Sequence, residues 1–301
     1  MFSDTHFHYK LMSGEWGVDG VETLTTMAQR NCRFALDIGT HADDLAERQA
    51  AVEKSIAQMA DVGLANKARD FVYFSAGIWP SLDEIGDREN RMKLLRESIE
   101  KANGTAAADQ ATLHRRVVAI GEGGLDHHWN PAGADGRNEA DFDLQTFRGE
   151  RELFQMQLEL ARELDLPFII HSRDAYEDTL DCLKKVGYHN GIVHCYSYGI
   201  DEARTFLDLG WYIAFGGATT YAKKSKMEDM KALLRFVPDD RLLLETDAPY
   251  LTPVPLRGTP NSPVKIEHTY NFIAEARGTS PEVLSDLVDR NIEKLFKVNL
   301  G

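Results

Sequence analysis

Cysteine is scarce in this chain: Cys32, Cys182 and Cys195 are the only three. An odd number at wide spacing provides neither a disulfide framework nor a C-x-x-C site, and it fits a reducing compartment. Long apolar runs are missing as well. No stretch of about 18 apolar residues occurs, which argues against a membrane-spanning helix. The opening MFSDTHFHYK has no basic segment followed by an apolar one, the pattern of a secretory leader. A cytoplasmic protein is the expectation. Positive charge is also short, since 34 Lys and Arg stand against 48 Asp and Glu, a formal charge of −14. That excludes a general basic coat for nucleic acid. It leaves room for a phosphate substrate gathered by bound cations, which reverse the local sign. No Pro/Gly/Ser-rich linker and no short repeat divides the chain, so one domain over residues 1–301 is expected.

Apolar residues make up 43% of the sequence, enough to fill a core. They fall into eight short runs: Phe2–Thr5, Arg33–Ile38, Phe71–Gly77, Val117–Glu122, Phe168–His171, Gly191–His194, Trp211–Ala214 and Leu242–Thr246. Amphipathic segments with helical spacing follow most of them, clearest over Glu150–Leu164 and present in Ala203–Leu209, Met227–Phe236 and Val283–Leu295. Ser280 and Pro281 read as the cap and first residue of the last helix. Eight strand-then-helix units in about 300 residues predict an α/β fold closed into a TIM (β/α)8 barrel. Two long segments interrupt the pattern. Gly86–Arg116 is mostly helical in character, and the polar Asn130–Thr146 belongs on the active face, between strand four and its helix.

Residues of metal-ligand type stand at or just past five of the strand ends. His6 and His8 follow the first, Glu122 ends VVAIGE, His171 ends PFIIH, His194 ends GIVH, and Asp247 ends LLLETD. Barrels of this class open their reacting groups at that end. On an extended chain His6 and His8 leave the same face and can grip one ion. Each residue alone has an ordinary alternative: a core histidine, a solvated glutamate, a turn-forming aspartate before Pro249. Their joint occurrence is the signal. Six ligands exceed one tetrahedral site, and a pair of divalent ions bridged by Glu122 would use them all.

In order, DTHFH, GEGGLDHHW, PFIIHSRDA, VHCYSYG and ETDAPYLTP resemble the TatD-type metal-dependent deoxyribonuclease family, within the amidohydrolase superfamily. RNIEKLF resembles its closing helix, and the likeness runs from Asp4 to Phe296. The resemblance implies a TIM barrel with divalent metal ions, two in number, as Zn, Mn or Mg. It implies hydrolysis of DNA phosphodiester bonds, often exonucleolytic, on single-stranded or frayed ends. It casts His6 and His8 as the HxH ligands, Glu122 as the bridging carboxylate, His171 and His194 as further ligands, and Asp247 as a ligand that also handles the proton of the attacking water. Arg173, two residues past His171, is the candidate catalytic cation for phosphate oxygens; an ion pair with Asp174 is its plain alternative.

The chain departs from the family pattern around these residues. Trp79 in GIWP stands where a histidine is common, His127 and His128 stand where aromatics often follow GLD, and PNSP keeps only Asn261 and Pro263 of a last-loop motif. Such changes leave open a hydrolase of small esters, amides or lactones on the same metals. A metal-stabilised binding protein without turnover is a third possibility, against which Asp247 argues. Glu245 reads either as a carboxylate behind a ligand histidine or as an ion pair with Arg241, and Cys195 as a small buried side chain. His128 reads as a phosphate contact or as a solvated loop residue. Lys223, Lys224 and Lys226 form the best local basic patch, and Trp79, Trp129, Tyr196, Tyr198 and Tyr221 are candidates for base stacking.

Overall fold

Each of the eight apolar runs becomes a strand in the computed structural model of the chain, which describes residues 2–104, 117–128 and 137–301. The strands are β1 (Asp4–Phe7), β2 (Ala35–Asp37), β3 (Val72–Ala76), β4 (Val117–Asp126), β5 (Phe168–Arg173), β6 (Gly191–Val193), β7 (Tyr212–Phe215) and β8 (Leu242–Leu244). They lie side by side in chain order, every neighbouring pair parallel. A bridge between Phe7 and Ala248 brings the last strand to the first. There the Asp247 N–H donates to the His6 carbonyl at 2.8 Å, and the His8 N–H to the Ala248 carbonyl at 2.8 Å. Parallel neighbours require crossovers, and helices supply them. Strands covered on both faces can be apolar almost throughout, as β2, β7 and β8 are. This is the expected (β/α)8 barrel.

The strand bounds differ from expectation by a residue or two, and at the end of β4 by more; the differences at β1 and β4 bear on the site. β1 starts at Asp4 rather than Phe2, so His6 lies inside it. Hydropathy misplaces this strand because Asp4, Thr5 and His6 are polar yet buried. Asp4 accepts from the Thr246 hydroxyl at 2.6 Å, the Thr246 N–H at 2.9 Å and the His6 N–H at 3.1 Å, which pins β1 to the segment after β8. Burial pushes its carboxyl up to about 7 against these bonds.

β4 runs on to Asp126, four residues beyond the expected end at Glu122. Ile120 faces Phe168 and Gly123 faces Ile170, so β4 carries one extra residue there. That is a bulge at Gly121–Glu122, the device that re-aims a side chain within a ladder. The glycines make the rest possible. Gly124 has φ 149°, and a Cβ on it would meet the His171 carbonyl oxygen at 1.9 Å.

The helix Met227–Phe236 has its expected bounds, and Pro281–Phe296 starts with Ser280 accepting from the Val283 N–H at 3.3 Å. The long helix Leu144–Leu164 starts before the expected Glu150, because Asp143 caps it by accepting from the Thr146 N–H at 2.8 Å. Its buried Gln157 bonds both the N–H and the carbonyl of Ile78, at 2.8 and 2.9 Å, and so fixes the turn that carries Trp79. Within Gly86–Arg116 a helix covers Arg88–Gly104; residues 105–116, like 130–136 of the second long segment, lie outside the described residues. No described helix is long and apolar enough to cross a membrane.

Candidate metal centre

The barrel gathers the six candidate ligands at the carboxyl ends of its strands. His6 and His8 leave the same side of the chain, as their spacing requires, and their Nε2 atoms approach to 3.3 Å. Glu122 reaches across from the β4 bulge, its Oε2 lying 3.4 Å from His6 Nε2 and 3.8 Å from His8 Nε2. Asp247 follows β8 in a left-handed conformation, φ 55°, and sets its Oδ1 3.4 Å from His8 Nε2 and 3.7 Å from His6 Nε2. The other oxygen of Glu122 serves a second group: Oε1 lies 2.7 Å from His171 Nδ1 and 2.9 Å from His194 Nε2. Those two nitrogens are again 3.3 Å apart.

Two half-clusters therefore share one carboxylate, an oxygen to each. Their donor spacing fits cations. Two nitrogens bound at about 2.0–2.1 Å to a tetrahedral ion lie about 3.3–3.4 Å apart, which both histidine pairs match. The sets His6–His8–Glu122 and Glu122–His171–His194 each hold their ligand atoms within 4.8 Å of one another. On the far side of the rings, His6 Nδ1 and His194 Nδ1 are buried without hydrogen-bond partners, and so is Oε2 of the fully buried Glu245. Glu245 Oε1 lies 3.6 Å from His194 Nδ1. A carboxylate behind a ligand histidine holds the ring so that its other nitrogen faces the ion. The alternative ion pair with Arg241 is not formed, for Arg241 bonds Asp240.

Burial and hydrogen bonds shift the titration of these groups. Burial works against the Glu122 carboxylate, yet the His194 charge and hydrogen bonds from His171, His194 and His6 hold it well below the usual range. Asp247 is also lowered, burial being outweighed by the His8 hydrogen bond. Burial would depress His171, but hydrogen bonds to Asp126 and Glu122 push it up to about 9. His6 is lowered, by burial and by the neighbouring His194 charge.

Sequence reasoning missed Asp126. Its Oδ2 accepts from His171 Nε2 at 2.9 Å, which leaves Nδ1 for the centre. A signal was present: continuing β4 by alternation from Glu122 places Asp126 on the same face. Asp126 also meets Arg137 at 3.7 Å, and Arg137 pairs with the buried Glu150 at 2.7 Å. The Arg137 guanidinium lies 5.4 Å from the centre of the Trp79 ring, whose plane stands edge-on to His171 with centroids 5.8 Å apart.

The remaining candidates divide. Arg173 ends β5 exposed, opposite Asp126 in register, with no ion pair among the described residues. Asp174, its anticipated partner, takes His128 Nδ1 at 2.7 Å instead. Cys195, expected as a small buried side chain, is half-buried and lies just past β6, which stops at Val193. Its φ is 44°, and its N–H donates to Glu245 Oε1 at 2.5 Å. Lys223, Lys224 and Lys226 are exposed past β7, Lys226 paired with Asp229. Among the stacking candidates, Tyr196 is buried and donates to the Gly199 carbonyl, Tyr198 bonds the Ser172 hydroxyl, and Tyr221 donates to the Thr252 carbonyl. These three are tied into packing. Trp129 lies outside the described residues.

The family model described as TatD related DNase matches residues 3–297. The chain is 34% identical over 232 residues to the uncharacterized metal-dependent hydrolase YabD of Bacillus subtilis (strain 168), covering 76% of this chain and 79% of that protein. It is 30% identical over 295 residues to the 3'-5' ssDNA/RNA exonuclease TatD of Rahnella sp. (strain Y9602), covering 96% of each. The crystal structure of YJJV, a TatD homologue from Escherichia coli K12, superposes with a TM-score of 0.73 at 26% identity, over 99% of this chain and 98% of that one. With its barrel and its paired histidine clusters, the chain belongs to the TatD-related DNase family of metal-dependent hydrolases.

Proposed function

We propose that this chain hydrolyses phosphodiester bonds in single-stranded nucleic acid, using two divalent cations held by His6, His8, Glu122, His171, His194 and Asp247. The observation that carries the reading is the shared Glu122 carboxylate, one oxygen toward each histidine pair. The name of the Rahnella relative supports the substrate class. Nitrogen-rich ligands suit zinc or manganese better than magnesium. Bound cations supply positive charge for the phosphate oxygens and lower the proton affinity of a coordinated water. The chain does the rest. Asp247, against both His6 and His8, orients the attacking water and takes its proton. Glu122 holds the two half-clusters in register. Arg173, exposed and without an ion pair among the described residues, reaches a phosphate oxygen in a fork. His128, steadied by Asp174, stands beside it on the leaving-group side.

The test is hydrolysis of an end-labelled single strand by stripped protein and after zinc, manganese or magnesium is restored. Metal-dependent shortening is expected, and Asp247→Asn is expected to lose at least a hundredfold in kcat with an almost unchanged melting temperature. No shortening by protein shown to bind metal, together with hydrolysis of a small ester or lactone, would overturn the nuclease reading.

A further inference from the structure

Among the described residues only two aromatic side chains are markedly exposed, Trp16 and Tyr250, each at 42%. They are neighbours. Their ring centroids are 5.5 Å apart and their planes meet at 79°. Tyr250 in turn stands 6.3 Å from the ring of His8, tilted 75°. A short ladder of rings thus leads from the candidate metal centre to solvent. Trp16 comes from the loop after β1 and Tyr250 from the loop after β8, so the pair exists only where the barrel closes.

We infer that Trp16 and Tyr250 form a stacking corner for a nucleobase, that of a nucleotide adjoining the phosphate under attack. The inference rests on the nuclease reading and names a subsite for it. Two perpendicular rings make an L: a flat base laid on the face of one abuts the edge of the other. Burial at an ordinary packing contact would hide such rings, whereas here nearly half of each is open to solvent. The corner is rigid relative to the centre. The Tyr250 N–H donates to the Asp247 carbonyl at 2.8 Å, and the buried Asn261 side chain donates to the Tyr250 carbonyl at 2.7 Å. The Trp16 N–H donates to the Leu11 carbonyl at 3.2 Å.

Charge on the same rim suits a polynucleotide strand rather than an apolar ligand. The loop that carries Tyr250 also carries Arg257, exposed and stacked over Tyr221 at 4.3 Å. Tyr221 precedes Lys223 and Lys224, both exposed and without ion pairs among the described residues. In a chain of formal charge −14, three cations on the segments after β7 and β8, the second of which also carries Tyr250, offer positive charge for a phosphate backbone. A base can enter the corner only when it is unpaired, so the subsite selects single strands and frayed ends.

The experiment is equilibrium binding, read by anisotropy, of the metal-loaded chain to a fluorescent single-stranded oligonucleotide with phosphorothioate linkages, which resist cleavage. The chain is compared with Trp16→Ala and Tyr250→Ala, each against the normal oligonucleotide and one with abasic sites at its two terminal positions. Each variant is expected to bind the normal strand about tenfold more weakly, ~1.4 kcal/mol. Removing the bases should weaken the unaltered chain by as much, and variant and abasic strand together should cost little more than either alone. Equal affinity of variant and unaltered chain for the normal strand overturns the subsite, whatever the cleavage assay shows. So do fully additive losses. Failure of the nuclease reading is seen separately, as metal-loaded protein that leaves every strand intact.

Discussion

At the scale of the residue, the feature with most leverage is a side chain outside the ligand set. Asp126 accepts a hydrogen bond from His171 Nε2–H and commits Nδ1 to the centre. Removal of such an orienting carboxylate typically costs 10–100-fold in metal affinity. Asp126→Ala is therefore expected to bind zinc or manganese ~10–100-fold more weakly by calorimetric titration; unchanged affinity would remove its orienting role. The pH dependence follows from the same contact. His171 must lose its proton to ligate, and its pKa is raised from 6.5 to about 9. Metal affinity of the intact chain should then climb as pH rises through that window, with protons released into the buffer. Asp126→Ala, lacking the hydrogen bond that raises the value, should show a shallower climb. The six expected ligands were legible because strand ends are legible. Asp126 and Glu245 were less so, since what marks them is a partner on another strand rather than a pattern along their own.

At the scale of the element, the β4 bulge decides where Glu122 points. The apolar run VVAI announces a strand, but nothing in hydropathy shows that GEGGLD continues it. The glycines do show it, once close approach is considered. Gly121 has φ 129°, and a Cβ on Gly77 would strike the Gly121 backbone at 2.3 Å. Gly124→Ala should be the most informative single change in the ladder. Its Cβ meets a backbone oxygen of β5 that cannot swing away, and φ 149° is strained for alanine. A loss of roughly 3 kcal/mol or more is expected in urea unfolding, with metal affinity falling beyond what stability explains, because Glu122 and His171 are the residues displaced. A variant as stable as the unaltered chain would show that this approach is not needed. β1 was harder to place for the opposite reason. Its buried face is polar, so the apolar cue pointed two residues too early.

At the scale of the whole molecule, the centre ties the β1 and β8 side of the barrel to the β4, β5 and β6 side, and a ligand bound there stabilises all of them. Free metal at about a hundred times its dissociation constant adds roughly 2.7 kcal/mol. Chelation should lower the melting temperature by about 5 °C, and zinc or manganese should restore it in a concentration-dependent way. A melting curve indifferent to both would mean that the histidine pairs hold no ion. The fold class was readable from eight alternating units alone. The Trp16–Tyr250 corner was not, because its two members become neighbours only when β8 meets β1. That closure also has a consequence in time. His6 and His8 precede Asp247 by about 240 residues along the chain. During synthesis these histidines are therefore made well before the carboxylate that completes their half of the centre. A centre built this way assembles late: a chain still short of Asp247 cannot complete it.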